Sequence, residues 1–286
     1  MRKNQASITA EGIALIRAHE SAKPVEDRVC YDPLARQFIS PIFYALGFLF
    51  IPYGRRRSPG VEEFLIARTR YIDDYLSDSL KEGIDQLVIL GAGLDSRAYR
   101  FEGIRNKVKT FEVDHPASQQ VKLRKLKRIF GDIPEYVVYV PIDFSVETLD
   151  KLFDYGYDEN LTTLFIWEGV TYYITEKSVN DTFHFITCHS GEGSRLIFDY
   201  MYISALRAAH KRNEVSSMHR YSRMTGEDLI FGIEEGTIVD YLQKRSFDQI
   251  VSVDYQYFQK VYFSKGGMIS PVAPIYAIVH ARVKRV

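Results

Sequence analysis

Asp85 to Asp114 reads DQLVILGAGLDSRAYRFEGIRNKVKTFEVD. Its first part, Gln86-Leu87-Val88-Ile89-Leu90, is a short and mostly apolar run of β-formers, the pattern of a strand buried on both faces of a parallel sheet. The run passes straight into Gly91-Ala92-Gly93. Glycines at that point let the backbone turn sharply with no Cβ in the way, so a ligand can lie against the chain where the next helix begins. A second strand is expected over Val108 to Val113, and Asp114 follows it, roughly 20 residues beyond the glycines. At that spacing an acidic side chain in a nucleotide-binding βαβ unit receives the ribose hydroxyls. The stretch therefore predicts a nucleoside-containing cofactor at the carboxyl ends of two adjacent parallel strands.

By itself a glycine pair is also what an ordinary strand-to-helix turn looks like. The third glycine of the dinucleotide pattern is absent, because Ser96 stands in its place. A pyrophosphate on a helix N-terminus favours that glycine, and Asp95 adds a negative charge close by. Both features weigh against NAD. A cofactor without phosphates, such as S-adenosylmethionine, meets no such objection, since its sulfonium is positive.

The rest of the composition narrows the class. Basic and acidic residues are equal in number over 286 residues, which favours a single domain spanning 1–286 and gives no electrostatic case for nucleic acid. Tyrosine (20) and phenylalanine (18) are abundant enough for a sizeable core and an aromatic-lined pocket. Cys30 and Cys188 have no partner in a metal-ligand spacing, so they read as reduced thiols of a cytoplasmic protein, and no metal site is expected. The N-terminal MRKNQASITAEG lacks the apolar segment of a signal peptide. PIFYALGFLFIP, from Pro41 to Pro52, is strongly apolar but falls short of the roughly 20 residues a spanning helix needs, so it is expected to be buried or a pocket lid, with an interfacial membrane contact as the alternative and no stable membrane insertion.

Along the chain, Ala6 to Ser21 has helical spacing, and Tyr31-Asp32-Pro33-Leu34 opens a short helix through Phe38. Tyr53 to Gly60 reads as a polar break whose three arginines, Arg55, Arg56 and Arg57, lie in a solvated loop. Val61 to Leu80 is a helix carrying Arg68 and Arg70. His115 to Phe130 is a basic amphipathic helix with Lys122, Arg124, Lys125, Lys127 and Arg128 on its solvent face. Further strands are expected at Tyr136–Ile142, Leu161–Trp167, Ser194–Tyr200, Phe247–Val253 and Pro274–Val283, with helices at Thr175–His189 and Ile238–Arg245. Met201 to Met224 reads as helix plus exposed loop. The third and fourth strands end on Asp143-Phe144 and Glu168-Gly169, where open α/β sheets bind ligands.

These residues together resemble the leucine carboxyl methyltransferase family, in particular its bacterial and archaeal S-adenosylmethionine-dependent O-methyltransferases. The resemblance is carried by Ser7-Ile8-Thr9-Ala10, Arg17-Ala18-His19-Glu20, Asp32-Pro33-Leu34-Ala35, Ala67-Arg68-Thr69-Arg70, the GAGLDSRAYR and FEVDHP motifs, Asp143-Phe144 and Trp167-Glu168-Gly169-Val170-Thr171-Tyr172-Tyr173. It covers roughly residues 5 to 200. It implies an α/β class I methyltransferase fold: a Rossmann-like, doubly wound seven-stranded sheet with an antiparallel end, plus helical N-terminal and lid additions over residues 1–60 and about 201–235. It also implies roles. Arg68 would hold the methionine carboxylate, Gly91 would pack against the methionine portion, Asp114 would take the ribose hydroxyls, and Asp143 and Phe144 would flank the adenine. Phe144 stands where the family commonly has leucine. Glu168 would sit near the methionine ammonium and Tyr173 near the incoming nucleophile.

A zwitterionic end needs one fixed cation and one fixed anion, and a bidentate guanidinium suits a carboxylate. Arg68 and Glu168 supply such a pair, with Arg70 able to exchange roles with Arg68. Methyl transfer from a sulfonium is an in-line displacement, so alignment is the protein's main contribution. A carboxylate acceptor needs no base, whereas a hydroxyl would call for one, with His19 and His115 as candidates. Arg17 could anchor an anionic acceptor. The expected acceptor is a small molecule with a carboxyl or hydroxyl group. The competing readings are methylation of a protein's C-terminal leucine carboxylate, an NAD-dependent oxidoreductase, and a non-catalytic cofactor-binding protein.

Overall fold

Gln86–Leu90 is a strand, β1, and all of its side chains are buried. It lies in a computed structural model that describes residues 8–105, 107–207, 228–265 and 268–284. The strand pairs in parallel with Lys109–Asp114 (β2) on one side and Thr163–Trp167 (β4) on the other. Val137–Pro141 (β3) extends the sheet beyond β2, and Arg195–Met201 (β5) extends it beyond β4. Phe247–Asp254 (β6) forms the far edge. Ser264–Lys265 (β7) and Met268–Ile269 (β8) make a separate small hairpin, and Tyr276–Val283 (β9) inserts antiparallel between β5 and β6. The seven-stranded order is therefore β3-β2-β1-β4-β5-β9-β6. Chain direction around β1 reverses the order of connection, which opens a crevice at the strands' carboxyl ends.

Alternation along β1 divides the core. Leu87 and Ile89 face a layer containing Ile72 and Leu76 of the helix α4, while Val88 and Leu90 face Phe165, Trp167 and Phe183 on the other side. Helices on both faces explain why the central strands tolerate no polar alternation. In chain order the helices are α1 (Ile8–Ser21), α2 (Ala35–Phe38), α3 (Pro41–Arg57), α4 (Val61–Glu82), α5 (Arg97–Arg100), α6 (Pro116–Phe130), α7 (Glu176–Cys188), α8 (Ile203–Arg207), α9 (Ile238–Gln243) and α10 (Tyr255–Tyr262). The sequence pattern assigns nothing to α10, whose start is fixed by the Asp254 side chain accepting from the N–H groups of Gln256 and Tyr257. The parallel strands fall within two residues of their expected bounds, as does the β9 end of the sheet.

Three expectations are corrected. First, the apolar segment is not buried: α3 runs from Pro41 through Arg57, only Gly47 along it is buried, and Arg55, Arg56 and Arg57 form its last turn rather than a loop. A proline inside the helix, Pro52, does not interrupt it. Second, Lys122 is not on the solvent face of α6. It is buried, with Nζ 2.7 Å from Glu112 Oε2, because α6 packs its Lys122 side onto β2. Lys125 likewise turns inward, donating to the carbonyl of Phe38 at 2.6 Å. Third, Arg70 is exposed and paired with Asp74 at 2.8 Å, so it does not exchange roles with Arg68. Residues 1–7 of the N-terminal lid element and 208–227 of the second lie outside the described residues, as does most of the segment from Met201 to Met224.

Candidate functional site

A cleft of about 490 Å³ opens above the carboxyl ends of β1, β2, β3 and β4, a size suited to a small molecule. The structure brings all eight residues singled out in the sequence onto its wall: Arg17 from α1, Arg68 from α4, Gly91 after β1, Asp114 ending β2, Asp143 and Phe144 after β3, and Glu168 and Tyr173 after β4. Six of them arrive there because each parallel strand ends on the same side of the sheet, and Arg17 and Arg68 are brought to it by the helices that carry them. Of the two candidate bases, His115 lines the cleft, whereas His19 packs against Tyr44 with ring centroids 4.4 Å apart, away from it.

Gly91 needs its glycine. Its φ is +65°, and an added Cβ would lie 2.2 Å from Val170 Cγ2. The turn is pinned from the next strand as well. Asp114 accepts the Gly93 N–H on one carboxylate oxygen (2.6 Å) and the His115 N–H on the other (2.7 Å), leaving each oxygen a further lone pair. Burial pushes the Asp114 carboxyl up, and those two N–H groups only partly oppose it. His115 Nδ1 accepts from the Ala117 N–H at 3.2 Å, which puts the neutral ring's hydrogen on Nε2, 3.5 Å from Asp143 Oδ2. Asp143 is held below the usual range: its burial raises it, but two hydrogen bonds from Ser145 outweigh that.

Behind the cleft wall runs a chain of buried charges. Asp199 Oδ2 accepts from Arg68 Nη1 (2.6 Å), and Arg68 Nε donates to Glu168 Oε1 (2.9 Å). The other Glu168 oxygen accepts from Arg97 Nη1 (2.6 Å), and Arg97 also holds Asp95 (2.5 Å) and Asp73 (2.7 Å). Arg100 continues it from Asp73 (2.6 Å), lying 3.9 Å from Asp32, which is 3.0 Å from Arg17 Nε. Arg17 is further fixed by the Leu94 carbonyl at 2.6 Å. Four guanidiniums thus face five carboxylates, Asp32, Asp73, Asp95, Glu168 and Asp199, an excess of one negative charge in a low-dielectric setting. Burial would raise Glu168, but Arg97 and Arg68 outweigh it and hold the carboxyl below its ordinary value. Burial also raises Asp95, and Arg97, Lys122 and Arg17 nevertheless bring it down to about 2. At Asp199 burial wins, and its carboxyl sits above the ordinary value despite Arg68.

Arg97 and Asp199 were missed in the sequence. Arg97 lies in the GAGLDSRAYR motif but carries no assigned role there, and Asp199 was visible only as the acid within the apolar run Leu196 to Tyr200. The partners that tie them to the cleft are distant, since Arg68 meets Asp199 across 131 residues of sequence and Arg97 meets Glu168 across 71.

The residues fit a cationic nucleoside rather than a pyrophosphate. The charge chain has an unbalanced carboxylate, and Asp95 remains ionised immediately beside the turn. Among the described residues no group of three or more His, Cys, Asp or Glu side chains could hold a metal ion.

Comparison with known proteins agrees with this reading. A model of the leucine carboxyl methyltransferase family matches residues 10–187. A Bacillus subtilis protein named as a candidate S-adenosyl-L-methionine-dependent methyltransferase, YktD, is 31% identical over 250 residues, covering 80% of this chain and 82% of that protein. A Streptomyces coelicolor protein carrying the same designation is 34% identical over 199 residues, covering 66% of each. Among solved structures, a DUF574 family protein from Streptomyces avermitilis superposes with a TM-score of 0.61 at 14% identity, covering 95% of this chain and 97% of that one. A candidate methyltransferase from Thermobifida fusca gives 0.57 at 13% identity, covering 99% and 97%.

Proposed function

The chain belongs to the leucine carboxyl methyltransferase family and is an S-adenosylmethionine-dependent methyltransferase of the class I fold, and from that premise we propose that it methylates an oxygen, a carboxylate or a hydroxyl, of a small-molecule acceptor. The observation that carries the proposal is the charge chain that passes through Arg68 and Glu168 beside a doubly anchored Asp114, with Arg17 fixed on the wall of the same cleft.

Under this reading each residue has a task set by its surroundings. Asp114 offers its remaining lone pairs to the ribose hydroxyls, its oxygens already oriented by Gly93 and His115. Asp143 and Phe144 flank the adenine, with Asp143 fixed in position by Ser145. Glu168 attracts the methionine ammonium, and Arg68, held on two sides by Glu168 and Asp199, presents the rest of its guanidinium to the methionine carboxylate. Gly91 lets the backbone come close to the methionine portion. When bound, S-adenosylmethionine supplies a methyl group on a positively charged sulfur.

Arg17 and Tyr173 act on the acceptor. Arg17 cannot swing freely, because Leu94 and Asp32 fix it, so it provides a stationary positive point for an anionic acceptor. Tyr173 sits on a short 3₁₀ turn against Tyr172, ring centroids 4.7 Å apart, and aligns the nucleophile. Two measurements test the reading. Calorimetric titration with S-adenosylmethionine, S-adenosylhomocysteine and NAD should show binding of the first two only, abolished in Asp114→Ala. Labelled methyl transferred to an acceptor library should then be released by mild base if it is an ester and retained if it is an ether. Methyl found on nitrogen or carbon would overturn the assignment to oxygen, and binding of NAD alone would overturn the cofactor.

A further inference from the structure

Helix α3 carries its apolar side chains on the wrong side for a helix that ends at a core. It seats on α1 through a narrow stripe of Phe43, Tyr44, Gly47 and Ile51, and a Cβ at Gly47 would stand only 2.4 Å from His19 Nε2. The opposite stripe, Ile42, Leu46, Leu49 and Tyr53, follows helical spacing and faces solvent with Phe50 beside it, whereas Phe48, though largely exposed, turns its ring edge onto His19, centroids 4.6 Å apart. Ile42 is 75% exposed, Leu49 69% and Phe48 66%, whereas a scatter of single exposed apolar residues is what an ordinary surface shows. The same stripe leads into Arg56 and Arg57, both exposed, and Arg57 lies 5.3 Å over the Tyr53 ring. Arg55 is already engaged by Glu62 at 2.6 Å.

We propose that the outer face of α3 docks flat on an anionic phospholipid bilayer, with Ile42, Leu46, Leu49, Phe50 and Tyr53 in the headgroup–acyl boundary and Arg56 and Arg57 on the lipid phosphates. Charge decides between this and a second copy of the chain. Helix α3 contains no acidic residue. Two copies packed face to face in parallel would set one arginine run against the other, and in the antiparallel arrangement each run would meet the positive end of the other helix. An anionic lipid surface neutralises the same arginines, while the long arginine stems reach past the apolar boundary. The helix lies in the surface rather than through it, since no helix among the described residues is long and apolar enough to cross a membrane. Because α3 packs on α1, and α1 contributes Ile13 and Arg17 to the cleft, the docked face is one helix removed from the site.

Sedimentation of the full chain with vesicles tests this. With vesicles of phosphatidylcholine and phosphatidylglycerol the protein should pellet, it should be released at high salt, and it should stay in solution with phosphatidylcholine alone. Ile42→Glu combined with Leu49→Glu should cut the bound fraction by on the order of tenfold, and Arg56→Glu with Arg57→Glu should remove the preference for anionic lipid. Both pairs are solvent-exposed, so an unchanged melting curve by circular dichroism separates loss of docking from loss of fold. No pelleting by the parent chain overturns the proposal. A dimer in analytical ultracentrifugation that Leu49→Glu dissolves, with no vesicle binding, overturns it in favour of a contact between copies.

Discussion

At the residue scale the cleft depends on positions where one atom decides. Gly91 combines a φ of +65° with a Val170 methyl 2.2 Å from where a Cβ would stand. Gly91→Ala should therefore lower stability by ~1–3 kcal/mol and weaken S-adenosylmethionine binding. Adding Val170→Ala should recover the clash but leave about 1 kcal/mol of backbone strain, a difference that urea titration of the two variants would read. The charge chain is as sensitive. Asp199→Ala strands Arg68 with one partner fewer in a fully buried setting, and loss of about 3–5 kcal/mol is expected on denaturant unfolding. Arg97→Lys should keep the fold better but weaken cofactor affinity by about tenfold in calorimetry, because a single ammonium cannot bridge Asp73, Asp95 and Glu168 as a guanidinium fork does.

At the element scale, the sheet strands were legible because each is a short apolar run between turn-formers, and the cleft residues after β1 to β4 were legible because they sit at the strands' ends, whereas Arg17 and Arg68 lie on helices. Surface and core on the helices were less so. Helix α6 has the composition of a solvent-facing basic helix, yet Lys122 is buried against Glu112 of β2, whose carboxyl burial pushes up to about 7 even with the lysine beside it. Helix α3 fails in the opposite sense, an apolar segment left outside. The contact between α4 and β9 carries a pH dependence of its own. His280 lies with its ring centroid 4.3 Å from that of Tyr75, and burial drives its pKa down to about 4. A histidine that the fold holds neutral contributes stability in full above its ordinary pKa of ~6.5, and that contribution drains as pH falls from there toward about 4. Thermal melts of His280→Phe across that window should be flatter than the parent's, by ~1–2 kcal/mol after allowance for the ring's partial exposure.

At the scale of the whole molecule, ligand binding and folding are one equilibrium. S-adenosylmethionine at about 100 times its dissociation constant should stabilise the chain by ~2.7 kcal/mol, raising its melting temperature by roughly 4–6 °C, and Asp114→Ala should lose the shift. The sequence alone determined the parallel core around Gln86–Leu90, the glycine turn, the spacing to Asp114 and hence the place of the cleft, because strand burial and turn geometry are written in neighbouring residues. Only the tertiary structure decided which charges meet. Asp199 and Arg97 acquire meaning through partners far away in the chain, and the outward face of α3 through the absence of any element packed over it among the described residues. Pairing energy and burial depend on what the folded backbone brings within a few ångströms, a distance that no local pattern encodes.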